Sequence, residues 1–556
     1  MLYLKKTTTL IFKKRKDTVM KTAPFRRFGT MIDCSRNAVM NVESLKKWIG
    51  ICSDLGFNTV LLYTEDTYEI PEEPYFGYLR GRYSQDEIRE VDAFAKEKGI
   101  ELIPCIQTLA HLNAITRWPA FQPMIDIGDI LLAGEEKVYE LIDRMFASIA
   151  ASYSTKIVNI GMDEAHMIGR GSYYDRHGDT DKTKILVEHL HRVAEIGKKY
   201  GFTLIMWSDM FFRLAVGGYY NGKAEINEDV KKQIPDNVEL IYWDYYSTDR
   251  KHYDEMFTAH KKIKDGTWFA GGLWTWIGYA AHNAYSMRAT KAALDQCIKN
   301  GIKDVFLTMW GDDGGECSKY SLLPSLFYAS EIAKGVTKKE DIKADFQKKF
   351  GISFDRFMLL DLPGIDDVEK NGVLNTERYL LYNDPFCGIL DSTLLGDESE
   401  RFAKCARKLS YAKNEPEWGY LFRTLHALCE TLAVKANLGQ RIRAAYGSKD
   451  KDAIIAAADD CKKAQKKLDG FYNAYRDQWY AENKGQGFDV QDIRIGGLKQ
   501  RLTHCEKMLR DFVDGKIEKI DELEEPLLDL HGNGADFRRG PICYQSWRLT
   551  STASVL

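Results

Sequence analysis

One local pattern constrains this chain more than any other. Four times a helix-like stretch ends in a basic or polar turn, followed by a glycine, an apolar residue and a β-rich run. The four are SDLGFNTVLLY at 53–63, KEKGIELIPCI at 96–106, KKYGFTLIMW at 198–207 and IKNGIKDVFLTMW at 298–310. Glycine supplies the left-handed residue that closes a helix, and a run apolar on both faces is a strand covered by helices. Runs at 27–33, 156–163, 238–245 and 268–276 have the same strand character, which brings the set to eight. The segments between them are helix-like: 135–150 sets Val138, Leu141, Ile142, Met145 and Ile149 on one stripe. Eight βα units predict an α/β fold, the (β/α)8 TIM barrel, over 26–330. A doubly wound open sheet uses the same units, but the count of eight and the crowding of polar and aromatic residues at strand ends favour the closed barrel.

The remaining segments read differently. Residues 331–556 lack strand runs and carry long helical patterns at 450–480 and 490–515, so a helical C-terminal domain is expected. Leu421, Leu425, Leu428 and Leu432 repeat at four-three-four spacing; the stripe is either internal packing or the seam of a homodimer. Residues 1–25 are basic, and their longest apolar run, Leu10 to Phe12, is far shorter than the ~7–15 residues of a signal-peptide core. They read as a disordered extension. The eleven cysteines are scattered, odd in number and without a C-x-x-C pair, as reduced thiols in a cytosol would be. A cytoplasmic protein is expected. No stretch approaches the ~18 consecutive apolar residues of a membrane span, and 78 basic against 81 acidic residues give a net charge of −3. Neither a membrane nor a nucleic acid is implied as a partner.

Barrel enzymes place their chemistry at the C-terminal ends of the strands. In this chain those ends read Asp33-Cys34-Ser35-Arg36, Glu65-Asp66, a third strand followed by His111, and Gly161-Met162-Asp163-Glu164. The next four read Trp207-Ser208-Asp209, Trp243-Asp244-Tyr245-Tyr246, Trp274-Thr275-Trp276 and Trp310-Gly311-Asp312. A single strand-end tryptophan is ordinary core and a single carboxylate is ordinarily solvated. Aromatic residues at four consecutive strand ends, each near a carboxylate, suit a pyranose, whose C–H faces stack on rings while its hydroxyls bond to carboxylates.

Asp163 and Glu164 are adjacent. Strand side chains alternate, so Asn159, Gly161 and Asp163 share one face and Glu164 starts on the other. Both carboxylates reach one ligand only where the strand already bends into its loop. Adjacent carboxylates also cannot readily flank a sugar from opposite sides, as the usual retaining and inverting pairs do; one can serve as acid, and the nucleophile must come from elsewhere. Asp209 and Asp312 are the candidates for a conventional nucleophile, and a non-catalytic glycan-binding barrel is the reading from another class. Two other motifs mislead. Asp163 to His166 spells DEAH, and GGYYNGKA at 217–224 approximates a phosphate loop but lacks the Ser or Thr that would hold Mg²⁺. No H-E-x-x-H occurs, and the HLH at 189–191 sits in a helical pattern where i,i+2 residues diverge. No metal site and no cofactor are expected.

These strand ends resemble family 20 glycoside hydrolases, the β-N-acetylhexosaminidases. The stretch GTMIDCSRNAVMNVESLKKWIGICSDLGFNTVLLYTED (29–66) is similar to the first two strands of that family, NIGMDEA (159–165) to its catalytic strand and MWGDD (309–313) to its eighth. The pieces occur in the family's order across about 27–320. The resemblance implies an exo-acting enzyme that removes a terminal N-acetylhexosamine from a glycan. It implies Glu164 as general acid, Asp163 orienting the 2-acetamido group and Tyr245 bonding the carbonyl of that group. Arg36 would grip the hydroxyls at C3 and C4, and Asp312 one at C4 or C6. Trp207, Trp276 and Trp310 would form the wall, with Trp243, Trp274 and Asp209 also placed at the substrate. His111, partnered by Asp66, would sit behind the acid. The family is substrate-assisted: the acetamido oxygen attacks the anomeric carbon. Met162 departs from the small residue usual before the pair.

Overall fold

The computed structural model describes residues 24–223, 225–364, 376–530, 532, 548–552 and 554. Most of the basic stretch 1–25 lies outside them, as does Cys543. Eight parallel strands close into a barrel: β1 (Arg27–Asp33), β2 (Thr59–Glu65), β3 (Glu101–Ile106), β4 (Ile157–Asn159), β5 (Thr203–Trp207), β6 (Val238–Trp243), β7 (Trp268–Gly272) and β8 (Asp304–Met309). Each pairs with its sequence neighbours, and β1 pairs with β8 over Arg27↔Asp304 to Ile32↔Met309. The open-sheet alternative is thereby excluded.

The glycines of the repeated pattern do what their chemistry allows. Gly56, Gly99, Gly201 and Gly301 all have φ between 70° and 89°. Gly56 caps the helix Val42–Leu55, donating its N–H to the carbonyls of Cys52 and Ser53. The next helix, Gln85–Glu97, opens with a capping box of Ser84 and Glu87.

Strand alternation sorts the apolar residues into two layers. Met31, Leu61, Tyr63, Ile103, Cys105, Ile157, Ile205, Trp207, Ile241, Ala270 and Phe306 fill the barrel interior. Their neighbours, such as Ile32, Val60, Leu62, Leu102, Val158, Leu204, Leu240 and Val305, face the surrounding helices. At the N-terminal end of the strands Arg27 bonds Glu101 at 2.7 Å and Asp304 at 3.2 Å. The opposite end is left for chemistry.

Three strands stop short of the sequence pattern. The run 156–163 is strand only to Asn159, 238–245 only to Trp243 and 268–276 only to Gly272, because the chain turns away at the mouth. A small antiparallel pair, Ile125–Ile127 with Ile130–Leu131, lies in the loop after β3; two runs of two or three residues carry no periodicity to read.

From Leu323 on, the described residues form helices and loops, with one isolated bridge from Asn483 to Met40. The longest helices are Lys451–Glu482 and Phe488–Val513. Leu421, Leu425, Leu428 and Leu432 lie on the helix Gly419–Lys435 and are at most 3% exposed. That helix packs on Glu398–Ser410 and Lys451–Glu482, so the stripe is internal and the homodimer-seam alternative is corrected. No helix among the described residues is long and apolar enough to cross a membrane. Leu428→Ala should leave a cavity among these helices and lower unfolding free energy by about 2–5 kcal/mol, measured by urea denaturation; an unchanged midpoint would remove Leu428 from the core.

Candidate active site

The mouth of the barrel is a cavity of about 590 Å³ whose lining includes Arg36, His111, Asp163, Glu164, Trp207, Trp243, Tyr245, Trp276, Trp310 and Asp312. Ten of the expected residues therefore meet in one place. The adjacency of Asp163 and Glu164 is resolved by backbone shape. β4 ends at Asn159, and Gly161, Met162 and Glu164 then take φ of 71°, 67° and 54°. Left-handed φ is costly for a residue with a side chain and persists where its surroundings enforce it. Here the bend defeats the strand alternation and brings both carboxylates to the same cavity. A side chain at Gly161 would be strained by the left-handed φ and would displace Gln107, whose Oε1 would lie 2.0 Å from its Cβ.

Gln107 is one of the residues that sequence reasoning missed. Its Nε2 donates to Asp163 Oδ1 at 2.7 Å and to Tyr63 Oη at 2.9 Å, while Oε1 accepts from the Met162 N–H at 3.2 Å. Tyr63 Oη in turn donates to Glu65 Oε1 at 3.0 Å, and Glu65 is ion-paired with Arg36. A buried chain of partners thus runs from Arg36 to Asp163. Tyr63 and Gln107 face inward beside their strand ends, a signal the alternation of β2 and β3 contained.

His111 Nε2 stands 3.2 Å from Asp163 Oδ2 and 3.6 Å from Glu164 Oε2, an ion-pair contact between the two acids. Its expected partner is corrected: Asp66 is bound to Arg80, with Nη2 to Oδ1 at 3.4 Å, and the strand-end carboxylate at the site is Glu65. Leu61 and Tyr63 face inward, so the alternation of β2 carries Glu65 to the mouth and Asp66 away from it. Tyr219 was also missed; its Oη donates to Glu164 Oε1 at 2.7 Å. It stands in the loop that imitates a phosphate loop.

The aromatic wall divides into contact and support. Trp243 stacks on Tyr245 at 5.1 Å and 21°, Tyr245 meets Trp276 edge-on at 5.6 Å, and Trp310 meets Tyr63 edge-on at 4.6 Å. Tyr245 is 6% exposed, whereas Tyr246 is 52% exposed at the rim. Asp244 makes this split by accepting the Tyr246 and Ser247 N–H groups. Trp274 is corrected to a support: it is fully buried outside the cavity lining, stacks on Trp276 at 4.6 Å and donates Nε1 to the Tyr245 carbonyl at 2.9 Å. Asp209 is corrected likewise. It is fully buried, accepts the Glu164 N–H at 3.0 Å and the Trp243 Nε1–H at 3.4 Å, and does not line the cavity.

A site of this geometry holds a sugar-sized ligand against rings and offers it two carboxylates in different electrical surroundings. Against known protein families, residues 24–258 match the model of the glycosyl hydrolase family 20 catalytic domain and residues 355–539 that of the glycoside hydrolase 20C C-terminal domain. The chain belongs to glycoside hydrolase family 20. It is similar to hexosaminidase D of Bos taurus, 24% identical over 265 residues that make up 45% of this chain and 70% of that one. Hexosaminidase D of Homo sapiens is 25% identical over 40% of this chain and 46% of its own length. A beta-hexosaminidase of Vibrio furnissii is 27% identical over 34% and 38%. The chain thus spans less than half of the latter two. The family 20 catalytic match ends within the helix after β6, so Trp276, Trp310 and Asp312 are brought to the site by barrel closure.

The charges around Asp163 set its state. Burial alone would raise Asp163, but the charge of His111 and the hydrogen bond from Gln107 hold it below the usual aspartate range. Burial alone would lower His111, but the charge of Asp163 lifts it to about 10. Burial, reinforced by the Asp163 charge, pushes Asp209 up to about 7. The His111 contribution to the pair is complete below the ordinary imidazole range and is lost as pH rises towards 10; that of Asp163 is present above its ordinary range and is lost as pH falls. Replacing His111 by Gln removes the cation and lets burial raise Asp163. The acid limb of kcat/KM on a chromogenic N-acetyl-β-hexosaminide should therefore move up by ~1 pH unit or more. An acid limb that stays in place in a folded variant would show that His111 does not set the charge of Asp163.

Proposed function

We propose that this protein is an exo-acting β-N-acetylhexosaminidase that removes terminal non-reducing β-linked N-acetylglucosamine or N-acetylgalactosamine from a glycan by substrate-assisted retaining catalysis. The observation that carries the reading is the left-handed bend at 161–164. It presents two adjacent carboxylates to one cavity and surrounds one of them, Asp163, with a cation and an amide donor. An anion so held is suited to orient the 2-acetamido group and to stabilise the positive charge that grows on its nitrogen as the carbonyl oxygen attacks the anomeric carbon.

Glu164 has the complementary surroundings. It is partly exposed and accepts from Tyr219, which suits a proton donor that must reach a leaving oxygen at the mouth and later activate water. Tyr245, buried between Trp243 and Trp276, is the group to bond the acetamido carbonyl. Arg36 and Asp312 lie across the cavity for the ring hydroxyls, and Trp310 supplies a flat wall. Asp209 is unsuited to be a covalent nucleophile, because its oxygens are occupied by Glu164 N–H and Trp243 Nε1 beneath the cavity floor. Nucleophile, acid and stabilising anion are all supplied without a metal or cofactor, and the reading includes a cytoplasmic setting, taken from the scattered, odd-numbered cysteines of the sequence.

The two carboxylates should separate by leaving group. Glu164→Gln should be severely slow on natural glycosides and much less impaired on activated aryl glycosides, whose leaving oxygen needs little protonation. Asp163→Asn should lose ~10²-fold or more on both, since the acetamido nucleophile needs its anion however good the leaving group is. A sugar found covalently attached to Asp312 by mass spectrometry would replace this mechanism with a conventional nucleophile. Activity should also survive exhaustive dialysis against EDTA; loss that a divalent ion restores would contradict the cofactor-free reading.

A further inference from the structure

A buried set of charges at the junction of barrel and helices is not used by the chemistry above. Glu316, on the loop after β8, is 3% exposed. One of its carboxylate oxygens accepts from Arg378 Nη1 at 3.1 Å and the other from Arg494 Nη1 at 2.9 Å. Arg378 stands on the helix Thr376–Tyr382 and Arg494 on Phe488–Val513, and they are 1% and 6% exposed. The anion thus comes from the barrel and both cations from the helical region.

The same guanidinium groups hold the loop's backbone. Arg378 Nη1 donates to the Asp312 carbonyl at 3.2 Å and Arg494 Nη1 to the Asp313 carbonyl at 2.5 Å, with Arg494 Nη2 3.4 Å from Asp313 Oδ1. Gln491 Nε2 reaches the Gly314 carbonyl at 3.5 Å. The approach is so close that a Cβ on Gly314 would lie 2.6 Å from Glu316 Oε1 and 2.7 Å from Arg494 Nη1. Asp312 and Asp313, whose carbonyls are gripped, both line the catalytic cavity.

Burying three charges is a costly way to join a helix to a barrel, and apolar residues of similar volume commonly do as well or better for stability. Apolar residues cannot donate to two consecutive carbonyls. They would leave the direction of the Asp312 and Asp313 side chains to the loop itself. We infer that Arg378 and Arg494, bridged by Glu316, are positioning residues that set Asp312 and Asp313 at the sugar, so that the helical region completes the binding site. The kinetic part of this inference rests on the proposed function.

The test uses the full chain carrying Arg494→Met, Arg494→Lys, or the triple change Glu316→Met with Arg378→Met and Arg494→Met. Hydrogen exchange over residues 311–317 needs no substrate, and KM and kcat are measured on an aryl N-acetyl-β-glucosaminide. The triple variant should keep a thermal midpoint close to that of the parent while exchange over 311–317 speeds up. KM should rise ~10-fold or more with a smaller change in kcat. Arg494→Lys should recover part of the loss, because an ammonium can still reach one carbonyl. Parental exchange and parental KM in the folded triple variant would overturn the inference; if that variant does not fold, the same two results in Arg494→Met overturn it. A parent protein inactive on every aryl N-acetylhexosaminide would refute the proposed function instead, and the exchange measurement would still decide the role of the triad.

Discussion

Pairing of the first strand with the eighth, over Arg27–Ile32 against Asp304–Met309, is the constraint on which the rest of this molecule depends. An open sheet of the same strands would leave Arg36 and Trp310 at opposite edges. Closure places them on one cavity, and the junction is secured at the working end. Asp33 Oδ2 accepts the Gly311 N–H at 2.8 Å, across 278 residues of sequence, and Oδ1 accepts the Ser35 N–H at 2.8 Å. One carboxylate therefore fixes both the turn that aims Arg36 and the turn that leads to Asp312. The interior rings then have a single geometry in which to pack.

Closure positions the site, but local strain gives it its chemistry. Of the residues at the mouth, Glu65, His111, Met162, Glu164 and Asp313 all have left-handed φ, on four different strand-end loops. Such residues are expensive individually and are held here by a dense set of partners. Gln107 alone ties Tyr63, the Met162 N–H and Asp163 together. The result is two neighbouring carboxylates with unlike surroundings: Asp163 between a cation and an amide, Glu164 at the rim beside a phenol. Asp209, held beneath by the Glu164 N–H, is pushed up by burial and by the Asp163 charge, which lowers the share of negative charge it places below the pair near neutral pH.

The helical region is joined to this machinery by direct contact as well as by packing. Lys484 bonds Glu87 at 2.7 Å, and the Asn41 N–H donates to the Glu482 carbonyl at 3.0 Å, which anchors the helices beside the first two βα units. The Arg378–Glu316–Arg494 triad anchors them beside the last. The two attachments flank the β1–β8 junction, the place where a closed barrel is assembled from its two chain ends.

By itself the sequence determined the eight strands and the four glycine-capped helix ends, because these depend on local chemistry, a left-handed glycine after a helix and apolar runs of fixed period, while the family rested on the resemblance of the strand-end motifs. It also determined most of the pocket, since strand ends of a parallel barrel face one mouth and the residues there can be read in order. Only the tertiary structure decided which strand-end residues touch the cavity and which stand behind it. Asp209 and Trp274 carry the same local signal as Asp163 and Trp276. What separates them is where the chain leaves the strand register, and that is set by left-handed turns whose cost is met by partners far away in sequence. Tyr219, Arg378 and Arg494 were unreadable for the same reason. Each acts through a contact whose other half lies dozens to hundreds of residues away, and no local period or motif records such a contact.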